Sequence, residues 1–211
     1  SVVTKTILTW CHYDAIWCFI MTNYRSREIT LRLKRVLQQV PVAVLSGLRQ
    51  TGKSTLLQNE AGIAREYAYQ TLDDFAVLAA AKANPDSLLR ENLILDEVPR
   101  CPELLIAIKR NVDQKRLPGR FILSGSANLA LLGHVSETLA GRAVYLTLHP
   151  MTRREIKGNI KEPPFLTKFM NNQHNLSGKA EPVSDTEVLT GGLPPACLSP
   201  AEDVSEWFRG Y

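Results

Sequence analysis

Residues 42–57 read Val42-Ala43-Val44-Leu45-Ser46-Gly47-Leu48-Arg49-Gln50-Thr51-Gly52-Lys53-Ser54-Thr55-Leu56-Leu57, and this stretch decides the fold. Its first four residues are apolar and rich in β-branched side chains, the pattern of a strand buried on both faces. Gly47 to Ser54 then fits G-x-x-x-x-G-K-[ST] at every required position. The spacing has a physical basis. Gly47 and Gly52 let the backbone curl until successive N–H groups point at phosphate oxygens. In this pattern Lys53 reaches the β- and γ-phosphates, and the Ser54 hydroxyl ligates Mg2+. A helix starting at Lys53 adds the partial positive charge of its N-terminus. Gly47, Leu48, Arg49, Gln50, Thr51, Gly52, Lys53, Ser54 and Thr55 are the candidate phosphate-binding residues.

Outward from this loop the chain alternates strand and helix. Tyr67 to Leu72 reads as a second strand, and Asp73-Asp74 caps a helix running to about Lys82. Leu93-Ile94-Leu95 is a third strand, Phe121-Ile122-Leu123 a fourth and Ala143 to Leu148 a fifth. Between the third and fourth, Pro102 opens a helix with apolar Leu104, Leu105, Ile108 and Val112 at helical spacing. Repeated units of this kind predict an α/β fold: a doubly wound, mostly parallel five-stranded sheet with helices on both faces. With the phosphate loop, that is the P-loop NTPase fold.

The third strand ends in Asp96-Glu97, which places two carboxylates at the C-terminal edge of the sheet, where ligands sit in open α/β folds. Asp96 is the expected Walker-B carboxylate, holding Mg2+ directly or through water. Glu97 is suited to polarise an attacking water as general base. The fourth strand continues into Ser124-Gly125-Ser126-Ala127-Asn128. Lying between the strands that carry the loop and the Asp-Glu pair, it offers Ser124, Ser126 and Asn128 as sensors of the γ-phosphate. Asn128 serves equally as the cap of a following helix. Arg142 is a candidate for stabilising transition-state charge, in cis or from a neighbouring subunit, with Arg49 as its competitor.

The remaining features set bounds. With 211 residues, 45% hydrophobic and 22% charged, the chain has the composition of a globular domain, not of a disordered tail or a disulfide-dense miniprotein. The four cysteines, Cys11, Cys18, Cys101 and Cys197, form no CxxC pair and no zinc pattern, so reduced thiols are expected. The longest apolar run near the N-terminus, Ile16 to Met21, is too short to span a bilayer. A cytoplasmic protein without membrane contact is the expectation. The net charge of +4 concentrates in one segment, where Arg25, Arg27, Arg32, Lys34 and Arg35 face only Glu28. There Ile29, Leu33, Val36, Leu37 and Val40 form the apolar face of a helix. Its basic face is either solvated or a surface for DNA or another acidic partner. Residues 151–185 are polar and read as a short helical piece at Thr152–Ile156 followed by a flexible linker, and Gly191-Gly192-Leu193-Pro194-Pro195 as a sharp turn.

The ordered set GLRQTGKSTLL, YQTLDD, LILDEVPRCPELL, GRFILSGSANLALL, SETLAGRAVYLTLHPMTRREI and GGLPPA resembles the prokaryotic predicted ATPases of the AAA+ superfamily, related to the archaeal ATPase group. The resemblance covers about residues 21–198. It implies ATP as the ligand and an AAA-type ATPase core, with a second domain of unknown function following in typical members. Arg142 sits in the Ala-Gly-Arg signature of that group. Leu193 and Pro195 depart from its aromatic and acidic positions. The expected organisation is an atypical extension over 1–20, the ATPase domain over 21–150, and a linker with the start of a further region over 151–211. The expected activity is Mg2+-dependent ATP hydrolysis that powers or switches a partner process. Lys53, Glu97 and Arg142 are the expected catalytic residues, Ser54 and Asp96 the metal ligands, and a trans-acting arginine would require a homo-oligomer. Two other readings stand beside it: a nucleotide-binding module that does not hydrolyse, and a DNA-associated ATPase using the basic helix.

Overall fold

The computed structural model describes residues 24–126, 137–171, 181–198 and 204–210. The expected extension over 1–20 and the sensor candidate Asn128 lie outside the described residues.

The first described helix, α1 (Ile29–Leu37), forms where the apolar spacing placed it and buries Leu33, Val36 and Leu37. Strand β1 (Val42–Gly47) follows, buried along its whole length. After the glycine loop come α2 (Lys53–Asn59) and the single turn α3 (Ala61–Ala64). Strand β2 (Ala68–Thr71) leads to α4 (Phe75–Ala83). The Asp74 carboxylate caps that helix by accepting from the Ala76 and Val77 amides at 2.7 and 3.2 Å. Strand β3 (Leu93–Asp96), helix α5 (Leu104–Gln114), and strands β4 (Phe121–Ser126) and β5 (Ala143–Thr147) complete the sheet unit. Short helices follow: α6 (Arg153–Ile156), α7 (Phe165–Met170), α8 (Asp185–Thr190), α9 (Pro194–Cys197) and α10 (Val204–Gly210).

The sheet order is β2-β3-β4-β1-β5, and every pairing is parallel. Alternation along the strands divides the core between the two faces. Val42, Val44, Leu93, Leu95, Phe121 and Leu123 pack with Leu104, Leu105, Ile108 and Val112 of α5. Ala43, Leu45, Ile94, Ile122 and Leu146 pack on the other side with α1, α2 and Ile63 of α3. The expected doubly wound sheet with helices on both faces is thus the observed one.

In the 151–185 stretch the expected helical piece forms as α6, and the described residues after it hold a further helix, α7. Pro164 is the N-cap of α7, with ψ 151° outside the helical range. Phe165 and Phe169, four residues apart on that helix, stack with ring centroids 6.3 Å apart. Ser184 starts α8 through a capping box with Glu187. Among the described residues no helix is long and apolar enough to cross a membrane. Cys101 is buried and Cys197 half-buried, both as free thiols.

Candidate functional site

The sheet order brings the sequence-distant motifs to one edge. Because β4 lies between β3 and β1, the loop after β1, the carboxylates after β3 and the end of β4 are neighbours. The register places Ser126 beside Gly47 and Ser124 beside Leu45.

Two glycines have geometric reasons. A Cβ at Gly47 would collide with the Leu148 carbonyl, so the loop can leave the sheet beside β5 only without a side chain there. Gly52 has φ 89°, a left-handed conformation that costs other residues about 1–2 kcal/mol. Inside the loop, the Thr51 hydroxyl donates to the Leu48 carbonyl at 2.9 Å. Lys53 is buried, and its ammonium donates to the Gly47 and Leu48 carbonyls at 3.1 and 2.8 Å. Burial pushes its pKa down, while the charges of Glu97 and Asp96 pull it back up and Arg49 adds to the depression. Leu48, Arg49 and Gln50 are exposed at the tip of the loop.

Asp96, 2% exposed, is the meeting point. Its Oδ2 accepts from the Ser54 hydroxyl at 2.6 Å, and its Oδ1 from the Glu97 amide at 3.0 Å. The two residues read as metal ligands are therefore in direct contact although 42 positions apart. Two oxygen donors converging on one point fit a hard divalent cation such as Mg2+, which takes one or two protein ligands and completes its shell with water and phosphate. Glu97 follows with φ 54° and ψ 41°, a strained conformation for a residue with a side chain. Burial, then the charges of Asp96 and Asp73, hold the Glu97 pKa above the ordinary carboxylate value, and Lys53 and Arg49 partly offset them.

Ser124 is buried, and its hydroxyl has no hydrogen-bond partner among the described residues. Ser126 is half-buried at the sheet edge. A small cavity of about 70 Å3 adjoins the loop, lined by Tyr24, Gly52, Thr55, Met151 and Pro194 among others.

Arg142 is not in this constellation. It immediately precedes β5, and its carbonyl accepts from the amide of Val42, the first residue of β1. That is the opposite edge of the sheet from Gly47, about 16 Å away along β1 at the usual rise per residue. Its guanidinium forms a two-point pair with Asp113, at 2.6 and 2.9 Å. The expectation of a role in cis is corrected: parallel strands carry this residue to the end where strands begin, not where they end. The basic cluster is also corrected. Arg27 is buried and Lys34 pairs with Glu60 at 3.2 Å, leaving Arg25, Arg32 and Arg35 exposed.

Sequence reading missed three residues. Tyr69 on β2 donates its hydroxyl to Asp96 Oδ2 at 2.6 Å. Arg27 and Glu155 form a buried ion pair at 3.1 Å that reaches the loop. For Glu155 a signal existed: Thr152-x-x-Glu155 is a capping box, and the structure forms it. For Tyr69 and Arg27 no local pattern marks the role.

Residues 39–157 match the family model described as an AAA domain, more than half of the 211-residue chain. The chain is 31% identical over 189 residues to the uncharacterized protein Rv2008c of Mycobacterium tuberculosis, and equally to the uncharacterized protein Mb2031c of Mycobacterium bovis. The alignment takes in 88% of this chain and 37% of each relative, so the chain spans little more than a third of their length. Among solved structures it is similar to the Walker-type ATPase PABY2304 of Pyrococcus abyssi. The TM-score is 0.51 at 16% identity, covering 87% of this chain and 67% of that one, a likeness of fold alone. With more than half of its residues inside the family model and the parallel sheet and glycine loop in place, the chain belongs to the AAA domain family of P-loop ATPases.

Proposed function

We propose that this domain binds ATP on residues 47–55 and hydrolyses it with Mg2+, and that turnover powers or switches a partner process. The observation that carries the reading is the 2.6 Å contact between Ser54 and Asp96, with Glu97 next in the chain. It joins a loop built for phosphate to a carboxylate pair built for metal and water.

In this reading the loop amides hold the phosphates. Lys53 exchanges its bonds to the Gly47 and Leu48 carbonyls for phosphate oxygens. Bound Mg2+, held by Ser54 and Asp96, would neutralise phosphate charge. Glu97 accepts the proton of the attacking water, and its raised pKa brings it nearer neutrality, where a general base works best. Ser124 and Ser126 are the β4 groups offered to the γ-phosphate. Arg49, whose charge is felt by both Lys53 and Glu97, is in this reading the candidate within the chain for stabilising transition-state charge. Arg142 takes part only if delivered by a neighbouring copy in a homo-oligomer.

Phosphate release with ATP and with GTP tests the reading, on the wild type and on Lys53→Ala. Mg2+-dependent release with ATP that disappears in Lys53→Ala is the expected result. Nucleotide binding without release would favour the non-hydrolysing alternative.

A further inference from the structure

Arg27 stands in the most basic stretch of the chain, yet its side chain is only 5% exposed. Its Nη1 donates to the Thr51 carbonyl at 2.8 Å, and its Nη2 to the His149 carbonyl at 2.7 Å. Its Nε lies 3.1 Å from Oε2 of Glu155, itself 4% exposed. Glu155 is filled from other sides: Oε1 accepts from the Glu28 amide at 2.7 Å, and Oε2 from the Thr152 amide at 2.8 Å. One guanidinium thus ties together the segment ahead of α1, the glycine loop, the exit from β5 and α6.

Taking an arginine and a glutamate out of water costs several kcal/mol per ion, and apolar residues of similar volume often serve stability as well or better. Position distinguishes this pair. The acceptor it selects in the loop is the Thr51 carbonyl, one half of the Thr51–Gly52 peptide.

We propose that Arg27 is a positioning residue for the phosphate loop, with Glu155 as its buried counter-charge. The proposal rests on the nucleotide-binding reading above. A peptide unit is planar, and no cis bond occurs among the described residues. Its C=O and N–H therefore point in opposite directions. By fixing the Thr51 carbonyl, Arg27 fixes the Gly52 N–H to point away from the guanidinium. Gly52, with φ 89° and no Cβ, has no side chain of its own to hold its peptide in place. That peptide is tied down from outside. Lysine cannot replace the anchor: a single ammonium has no planar fork to span the Thr51 carbonyl, the His149 carbonyl and Glu155 together.

The test is 15N relaxation on the nucleotide-free full chain, comparing wild type, Arg27→Lys and Glu155→Gln. In the wild type the Gly52 amide should show a rigid order parameter of about 0.85, falling to about 0.6 or below in Arg27→Lys. Amides of β1 and β4 should stay unchanged. Glu155→Gln should move the Gly52 amide in the same direction by less, and it decides the matter if Arg27→Lys does not fold. With ATP, KM should rise about tenfold in Arg27→Lys with a smaller change in kcat, the mark of lost binding geometry. An unchanged Gly52 order parameter overturns the proposal. So does a uniform loosening of the sheet, the result for a pair that serves stability alone. A wild type that does not bind ATP retires the nucleotide reading, while the order parameters still decide the role of Arg27 in the loop.

Discussion

Tyr69 donates its phenolic hydrogen to Asp96 Oδ2 at 2.6 Å, the same oxygen that accepts the Ser54 hydroxyl. The two donors come from different elements on one face of the sheet, Tyr69 from the edge strand β2 and Ser54 from α2. Parallel pairing of Tyr69 with Ile94 brings the phenol up to the end of β3. Asp96 is therefore an organised carboxylate before any ligand arrives.

Tyr69→Phe should lower stability by about 1.5 kcal/mol, the low end for a hydrogen bond to a charged group, because Asp96 keeps two other donors. Urea unfolding at neutral pH measures it. Burial and the bond to Asp96 push the Tyr69 pKa up to about 12. Its folded pKa is above its unfolded value, so its contribution is fully present below pH 10 and lost as pH rises towards 12. The difference between wild type and Tyr69→Phe should shrink over that interval.

Glu97→Gln should leave nucleotide affinity intact and reduce turnover by about 10²–10⁴-fold, the usual loss on removing a general base. It should also raise the melting temperature at neutral pH. The folded pKa of Glu97 is raised, so the folded protein holds its proton more tightly than the unfolded chain does. The associated stability is present below pH 4.5 and lost as pH rises through the folded pKa. Glutamine has no such loss, so the gain should vanish in acid. The wild-type rate should fall with acidification through the same raised pKa. Thermal melts and rates across pH 4–8 check both signs.

Ser124→Ala should stabilise the nucleotide-free protein by about 1 kcal/mol, since a buried hydroxyl with no partner among the described residues is costly. Turnover should fall in the same variant if the hydroxyl meets the γ-phosphate. Denaturant unfolding and phosphate release, taken together, separate a sensor from a spacer.

Arg142→Ala should leave the dissociation constant for nucleotide unchanged, because the Arg142–Asp113 pair lies at the far edge of the sheet. Its turnover at protein concentrations where light scattering shows only monomer should match the wild type. A loss confined to concentrations where an oligomer forms would identify delivery in trans.

Much of the fold was legible because its signals are local. Gly47, Gly52, Lys53 and Ser54 act within eight residues, so their spacing carries their geometry. The strands announced themselves as short apolar runs, and Asp74 as a cap beside a helix of alanines. From those runs the parallel sheet followed, and with it the edge that collects the ends of β1, β3 and β4.

What the tertiary structure alone decided concerns side chains whose partners are remote in sequence. Arg27 reads as one more surface charge beside Arg25 and Arg32, yet its acceptors are 24 and 122 positions away. Arg142 reads as a catalytic arginine acting in cis or in trans, but strand direction carries it to the far edge of its own sheet, away from the loop. Tyr69 reads as an ordinary strand residue until β2 pairs with β3. Sequence spacing encodes contacts that the backbone enforces within a turn or a strand. Which charge is buried, and on which carbonyl it lands, depends on how separate elements stack once the core has closed.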